Sequence, residues 1–195
     1  MKEIEVRFEV NEEQILKVEK LTKLETKNRV LDISYGEFGF DSYEITKKVR
    51  RIRNVDGNIS LEIKIKKGST NEKGLLITNS REESKPLTSV KEGDKEFREQ
   101  GLLPYLYLDR VRETRTCKDL IICIDRFDIL GTYMEIEFQD SNIEELKEFL
   151  KLVNIKNYES KPVYGDILKE RLLDPEFKLL FEENLQKITS NQNVR

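Results

Sequence analysis

Carboxylates and guanidinium groups recur at every second position in several short stretches of this chain. Glu3, Glu5 and Arg7 alternate with Ile4, Val6, Phe8 and Val10. Arg51 and Arg53 flank Ile52, and Glu62, Lys64 and Lys66 alternate with Leu61, Ile63 and Ile65. Arg81 and Glu83 follow, then Arg110 and Arg112, then Asp125; Glu135 and Glu137 alternate with Met134, Ile136 and Phe138. A period of two is that of a β-strand, whose successive side chains point to opposite faces. Each stretch therefore carries one apolar and one charged face. Arginine forks match phosphate oxygens, and carboxylates hold hard divalent cations. The chain has no histidine, which removes Ser-His-Asp and Cys-His catalysis and histidine-based zinc sites. Any metal would rest on carboxylates, a donor set suited to magnesium or manganese.

The elements that must position these residues can be read from periodicity and punctuation. Strand Met1–Val10 is followed by a helix opening at Asn11, with Gln14 completing a capping box and Ile15, Val18, Leu21 and Leu24 at helical spacing. Strands are predicted over Arg29–Tyr35, Tyr43–Arg53 and Ile59–Lys67, the last two joined by the hairpin signal Asp56-Gly57-Asn58. Leu75–Glu83 reads as a strand, Lys85–Gly93 as a polar loop and Lys95–Gln100 as a short helix. A second hairpin joins Leu106–Cys117 to Leu120–Phe127, and Thr132–Phe138 is the last strand. Three helices are expected after it: one capped by Ser141 and Glu144, one over Val163–Leu173, and one opening at Asp174-Pro175 with an apolar stripe from Phe177 to Ile188. That stripe reads as core or partner surface.

The chain has 195 residues, 35 Lys plus Arg against 38 Asp plus Glu, and a net charge of −3. Such balance argues against a nucleic-acid binder, which carries a basic excess. Two cysteines, Cys117 and Cys123, without a signal-peptide pattern point to the cytoplasm and to buried thiols. No apolar run approaches the roughly 18 residues of a membrane helix. A single domain is expected over residues 1–188, with 189–195 a disordered polar tail.

Two arrangements accommodate the charged faces. One is an open antiparallel sheet with cross-strand ion pairs in water and helices behind it. The other is a barrel whose charged faces line the inside. The matched parity of so many strands, with little Ser, Thr, Asn or Gln among them, favours the barrel. An interior of many bases and several carboxylates calls for a highly anionic ligand and a bridging cation, which a polyphosphate with a divalent metal supplies. Many bases in an empty interior would also repel one another, so removing one is expected to leave the fold intact.

The ordered set of motifs resembles the CYTH superfamily, the triphosphate tunnel metalloenzymes, which include class IV adenylate cyclases, thiamine triphosphatases, inorganic triphosphatases and RNA triphosphatases. Glu3, Glu5 and Arg7 stand in its E-x-E-x-K signature, with arginine for lysine. Arg51-Ile52-Arg53 looks like its L-R-I-R strand, Leu61–Lys64 like L-T-x-K, Arg81 and Glu83 like R-x-E, and Arg110 and Arg112 like K-x-R. Asp125, Gly131, Glu135 and Glu137 fit its D…G…E-x-E run, and Lys161-Pro162-Val163-Tyr164 resembles its late K-S-Y element.

The resemblance implies an α+β fold: an antiparallel eight-stranded β-barrel, the triphosphate tunnel, with helices packed outside. It implies Glu3, Glu5, Glu83, Asp125, Glu135 and Glu137 as ligands of Mg2+ or Mn2+. Arg7, Arg51, Arg53, Lys64, Arg81, Arg110, Arg112 and Lys161 are implied as phosphate ligands. Glu5 or Glu137 would orient the attacking water, with Arg7 beside them. Lys66 has the right parity but sits near a strand end, and Lys161 and Tyr164 either close one mouth or begin a surface helix. Arg115 has the opposite parity and is left out. The expected activity is metal-dependent hydrolysis of a triphosphate-containing small molecule. The alternatives are cyclisation of ATP to cyclic AMP, as in a class IV adenylate cyclase, or a non-catalytic polyphosphate- or nucleotide-binding module. Neither membrane nor nucleic acid is expected as partner; a homodimer is allowed.

Overall fold

The computed structural model describes residues 3–72, 75–128, 130–139, 142–155 and 164–190, without the side chains of Glu3, Ile4, Tyr43, 66–72, 75–79 and Asp166. Lys161 and Ser141 lie outside the described residues, as do the side chains of Glu3 and Lys66. The strands are β1 (Glu3–Glu9), β2 (Lys23–Gly36), β3 (Lys48–Val55), β4 (Asn58–Glu72), β5 (Leu75–Leu87), β6 (Leu103–Cys117), β7 (Leu120–Phe127) and β8 (Gly131–Phe138). The helices are α1 (Glu12–Leu21), α2 (Ser42–Thr46), α3 (Val90–Glu99), α4 (Ile143–Leu152), α5 (Tyr164–Arg171) and α6 (Pro175–Ser190). The sheet is a closed barrel in the order β1-β5-β4-β3-β2-β6-β7-β8, with β1 also paired antiparallel to β8. The fold is α+β.

Local chemistry explains most boundaries. Asn11 Oδ1 accepts from Gln14 N, and Asn11 N donates to Gln14 Oε1, both at 3.0 Å, so the capping box at α1 is formed. Asp56 and Gly57 both have positive φ, at 47° and 91°, the twist a two-residue hairpin loop needs between Val55 and Asn58. Asp174 Oδ1 accepts from Glu176 N at 2.9 Å and opens α6 at Pro175. That helix continues through Thr189 and Ser190, whose hydroxyls donate back to the carbonyls of Leu185 and Gln186, so these two residues belong to α6 and not to the expected tail; residues 191–195 lie outside the described residues.

Three expectations are corrected. The predicted strand Tyr43–Arg53 begins as helix α2, which stops at Lys47 with φ 54°, and only then does β3 start. The predicted loop Lys85–Gly93 is the end of β5 and the start of α3, where Ser89 Oγ caps Glu92 N at 3.2 Å. Gly93 disguised that helix, yet a Cβ there would stand 2.7 Å from Leu87 Cδ1 and 2.8 Å from Ile52 Cδ1. The glycine lets α3 lie close against β3. Finally, β2 starts at Lys23 rather than Arg29; its first residues, 23–27, are exposed and polar except Leu24, which belongs to this strand and not to the helix that ends at Leu21.

Two compact units divide the chain: Met1–Asn28, Lys66–Arg81 and Arg110–Lys161 form the first, and Arg29–Ile65, Glu82–Asp109 and Pro162–Arg195 the second. In the first, Val6 and Phe8 of β1, Ile122 and Ile124 of β7, and Met134, Ile136 and Phe138 of β8 form a core with Ile15 and Val18 of α1 and Leu146, Phe149 and Leu150 of α4. In the second, Leu31, Ile33, Tyr35, Ile52 and Leu61 pack with Phe97 of α3, and Leu185 and Ile188 of α6 lean on them. Helices cover the apolar face in each unit, and alternation sends the charged side chains to the other face. No helix among the described residues is long and apolar enough to cross a membrane.

Candidate active site

In the first unit, cross-strand register sets the charges side by side. Arg7 lies opposite Glu135, and Glu5 opposite Glu137. Glu135 also lies opposite Cys123, and Asp125 opposite Arg112. Arg7 Nε donates to Glu135 Oε1 at 2.8 Å, and Arg7 Nη2 reaches the same oxygen. Arg112 grips Asp125 through Nε–Oδ1 at 2.6 Å and Nη2–Oδ2 at 2.5 Å, and its Nη2 also donates to Glu135 Oε2 at 2.5 Å. Arg110 Nε stands 3.1 Å from Asp125 Oδ1, with its guanidinium carbon 5.7 Å from the Phe127 ring centroid. Arg7 Nη2 is 3.9 Å from Glu5 Oε1. Asp125 is 0% exposed, and the cations Arg110 and Arg112 meet it there. Burial alone would lower the Arg112 pKa, but Asp125 and Glu135 outweigh it and raise it well above the ordinary value.

The second unit carries its own cluster. Asp32 of β2 lies opposite Arg53, and Arg51 opposite Glu62. Arg53 forks onto Asp32 at 2.7 and 3.0 Å. Arg51 Nε donates to Glu62 Oε2 at 2.6 Å, and its Nη2 reaches both Glu82 oxygens at 3.4 Å. Weaker contacts cross between the pairs, Arg51 Nη1 to Asp32 Oδ2 at 3.8 Å and Arg53 Nη1 to Glu62 Oε2 at 3.5 Å. Ser60 Oγ donates to Glu62 Oε1 at 3.0 Å. Burial pushes the Glu62 carboxyl up, but Arg51 and Arg53 outweigh it and hold it below the usual range. Lys64 shares the Glu62 face, two residues on.

Of the residues singled out from spacing, the structure brings Glu5, Arg7, Arg110, Arg112, Asp125, Glu135 and Glu137 together in the first unit, and Arg51 and Arg53 in the second, with Lys64 on the same strand face as Glu62. It does not so place Arg81 and Glu83. Glu5 pairs with Thr78, and steps of two from there give Ser80 and Glu82. Arg81 and Glu83 are exposed, and it is Glu82 that reaches Arg51. Tyr164 is a buried residue at the start of α5. Arg115 lies off the site as its parity requires: it bonds Glu113 at 3.2 Å and Thr22 at 3.3 Å, and Glu113 also accepts from Arg126. Two acids were missed, Asp32 and Glu82. The signal for Asp32 was present: a lone charge inside the run Val30–Tyr35 must have a partner if that run is buried. The cations are also not left to repel one another, since carboxylates are interleaved with them in both units. The expected strain of an empty basic interior is therefore corrected.

The donors of the first cluster suit a hard divalent cation in chemistry. Its one thiol, Cys123, is pushed up to about 11 by burial and stays protonated, so it offers no soft ligand. Glu5 and Glu137, opposite each other on β1 and β8, would hold such an ion. Among the described residues, no three carboxylates or thiols stand together in a ready-made metal site.

No curated protein matches the chain. Solved structures similar to it include the PH1819 protein of Pyrococcus horikoshii OT3, at 22% identity and TM-score 0.70, covering 87% of this chain and 99% of that one. The PH1012 protein of the same organism gives 20% identity and TM-score 0.68 over 85% and 98%. HpAC1 from Hippeastrum, a protein with a dominant triphosphatase activity, gives 16% identity and TM-score 0.62 over 89% and 99%. At these identities the likeness is one of fold. The CYTH domain family matches residues 1–162, most of the charged face included, and the chain belongs to that family.

Proposed function

We propose that the protein binds a triphosphate-containing small molecule on its charged face and hydrolyses it with the help of Mg2+ or Mn2+. The observation that carries this reading is the convergence of Arg7 and Arg112, from β1 and β6, on the single carboxylate of Glu135. Two forks aimed at one point form a receptor for tetrahedral oxyanions, and phosphate oxygens fit it as the carboxylate does. Arg110 adds charge beside them. Arg51, Arg53 and Lys64 are assigned phosphate contacts in the second cluster. Glu5 or Glu137 orients the attacking water, and Arg7 draws charge from the phosphoryl group under attack. A bound cation supplies Lewis-acid polarisation of phosphate oxygens. Glu3 and Lys161 keep the roles of metal and phosphate ligand that the family pattern implies.

The triphosphatase activity of the Hippeastrum relative supports hydrolysis over cyclisation. The test is a panel of tripolyphosphate, thiamine triphosphate and ATP with Mg2+ or Mn2+, assayed for both phosphate and cyclic AMP. Phosphate release that stops with chelator and returns with metal is expected. Cyclic AMP as the main product from ATP moves the protein to the cyclases; binding without turnover leaves a polyphosphate-binding module.

A further inference from the structure

Glu135 is counted among the metal ligands by the family pattern, yet both of its oxygens are engaged. Oε1 accepts from Arg7 and Oε2 from Arg112. Asp125, the next acid on this face, spends both oxygens on Arg112. A cation approaching these carboxylates meets guanidinium groups already seated on them, and it must displace like charge to bind.

A phosphate chain changes that balance. It offers the same planar forks more oxygens and more negative charge than one carboxylate does. Once Arg7 and Arg112 turn to phosphate, Glu135 loses its compensating charge and stands beside a polyanion. Glu135 would then be able to hold a divalent cation, which would offset the charge of both. We infer that the metal site is assembled by the anion: Glu135 serves as a placeholder for phosphate while the face is empty and as a metal ligand only after phosphate has taken its arginines. Anion and metal therefore bind with positive coupling, and each raises the affinity for the other by one and the same factor. This inference rests on the reading that the face binds phosphate, but it does not need turnover.

The test measures Mn2+ binding to the whole chain by the paramagnetic resonance of free Mn2+, with no substrate present. Sulfate is the probe anion, because it fills guanidinium forks and binds Mn2+ weakly in solution. Mn2+ affinity is expected to be weak without sulfate and to rise about tenfold or more at saturating sulfate, within the usual range of coupling between sites. Arg112→Gln, or Arg7→Gln should the first fail to fold by circular dichroism, releases Glu135 and should raise Mn2+ affinity without sulfate. Arg110→Gln removes the same charge from the same cluster but leaves Glu135 held, and should raise it much less. Equal Mn2+ affinity with and without sulfate in the unaltered protein overturns the inference. So does an equal gain from Arg110→Gln, which reduces the effect to net charge. An active hydrolase whose Mn2+ binding ignores sulfate sinks this inference alone, whereas coupling without turnover sinks only the hydrolase reading.

Discussion

In the first unit one glutamate joins arginines from two strands that are not neighbours, whereas in the second each arginine has a carboxylate of its own across the adjacent strand. Arg7 and Arg112 share Glu135; Arg53 holds Asp32 and Arg51 holds Glu62, with weaker contacts at 3.5 and 3.8 Å between the pairs. The counts differ too. Among the described side chains, Arg7, Arg110 and Arg112 face Glu5, Asp125, Glu135 and Glu137, an excess of one acid. Among the described side chains, Arg51 and Arg53 contact Asp32, Glu62 and Glu82, and Lys64 shares the strand face of Glu62, which gives three charges of each sign. A shared carboxylate makes a cluster in which one loss affects every member. Separate pairs with weak cross-links make one that degrades by steps. The difference teaches that the two clusters should respond differently to the loss of one arginine, the first as a whole and the second by steps.

Arginine removal should separate the two most sharply. Arg112→Ala leaves Asp125, at 0% exposure, without its fork and Glu135 with one partner fewer. Breaking a buried pair in this way costs about 3–5 kcal/mol. Arg53→Ala leaves Asp32 with Arg51 still 3.8 Å away, and a cost of about 1–3 kcal/mol is expected. Urea unfolding of both variants gives the two numbers. An Arg53→Ala loss equal to or above that of Arg112→Ala would abolish the distinction between shared and separate pairing. Any gain in stability from either would restore the picture of mutually repelling cations that spacing alone suggested.

The alkaline side offers a second contrast, because a buried thiol sits only in the first cluster. Cys123 faces Arg112, Glu135, Glu137 and Asp125, and burial raises its pKa from 9.0 to about 11. The folded form thus holds its proton after the unfolded chain has released it. The stabilisation is complete below pH 9 and is lost as pH rises from there through about 11, amounting to roughly 3 kcal/mol for two pH units. Tyr35 and Tyr105 are raised as well, so the quantity to measure is the difference between the unaltered protein and Cys123→Ala across pH 8–11. Parallel curves would mean that the thiol is open to water.

Much of this arrangement could be read from residue spacing, and the exceptions have physical causes. β1 alternates strictly and β8 does so from Met134 on, while β7 is a short apolar run closed by Asp125 and Arg126; the ends of all three fall within two residues of expectation, because one face of each is packed under helices and any slip would bury charge. The Asp56-Gly57 loop was legible because few residues accept positive φ twice in succession. The β5 face was misread because Arg81, Glu82 and Glu83 are all charged, so composition there carries no parity. Only pairing with β1 decides it. Asp32 was passed over because one acid in an apolar run has no period. Its meaning depends on Arg53, 21 residues away along the chain.

The smallest effect belongs to the second cluster on the acid side. Burial works against the Glu62 charge while Arg51 and Arg53 work for it, so the opposing influences partly cancel, and the carboxyl ends below its ordinary value of 4.5. A depressed folded pKa contributes stability that is fully present above about pH 4.5 and disappears as pH falls through the folded value. Glu62→Gln removes the titration while keeping a side chain able to accept from Ser60. Its unfolding free energy should therefore fall less steeply below pH 4.5 than that of the unaltered protein. Glu113, in the first unit, is also held low, by Lys27, Arg126 and Arg115 against its burial, and it contributes in the same window. Subtracting the Glu62→Gln curve from the parent curve leaves that contribution out. If the subtraction gives a flat line between pH 6 and 3, Glu62 ionises alike in both states, and the pairing with Arg51 and Arg53 supplies no net stability to the folded protein.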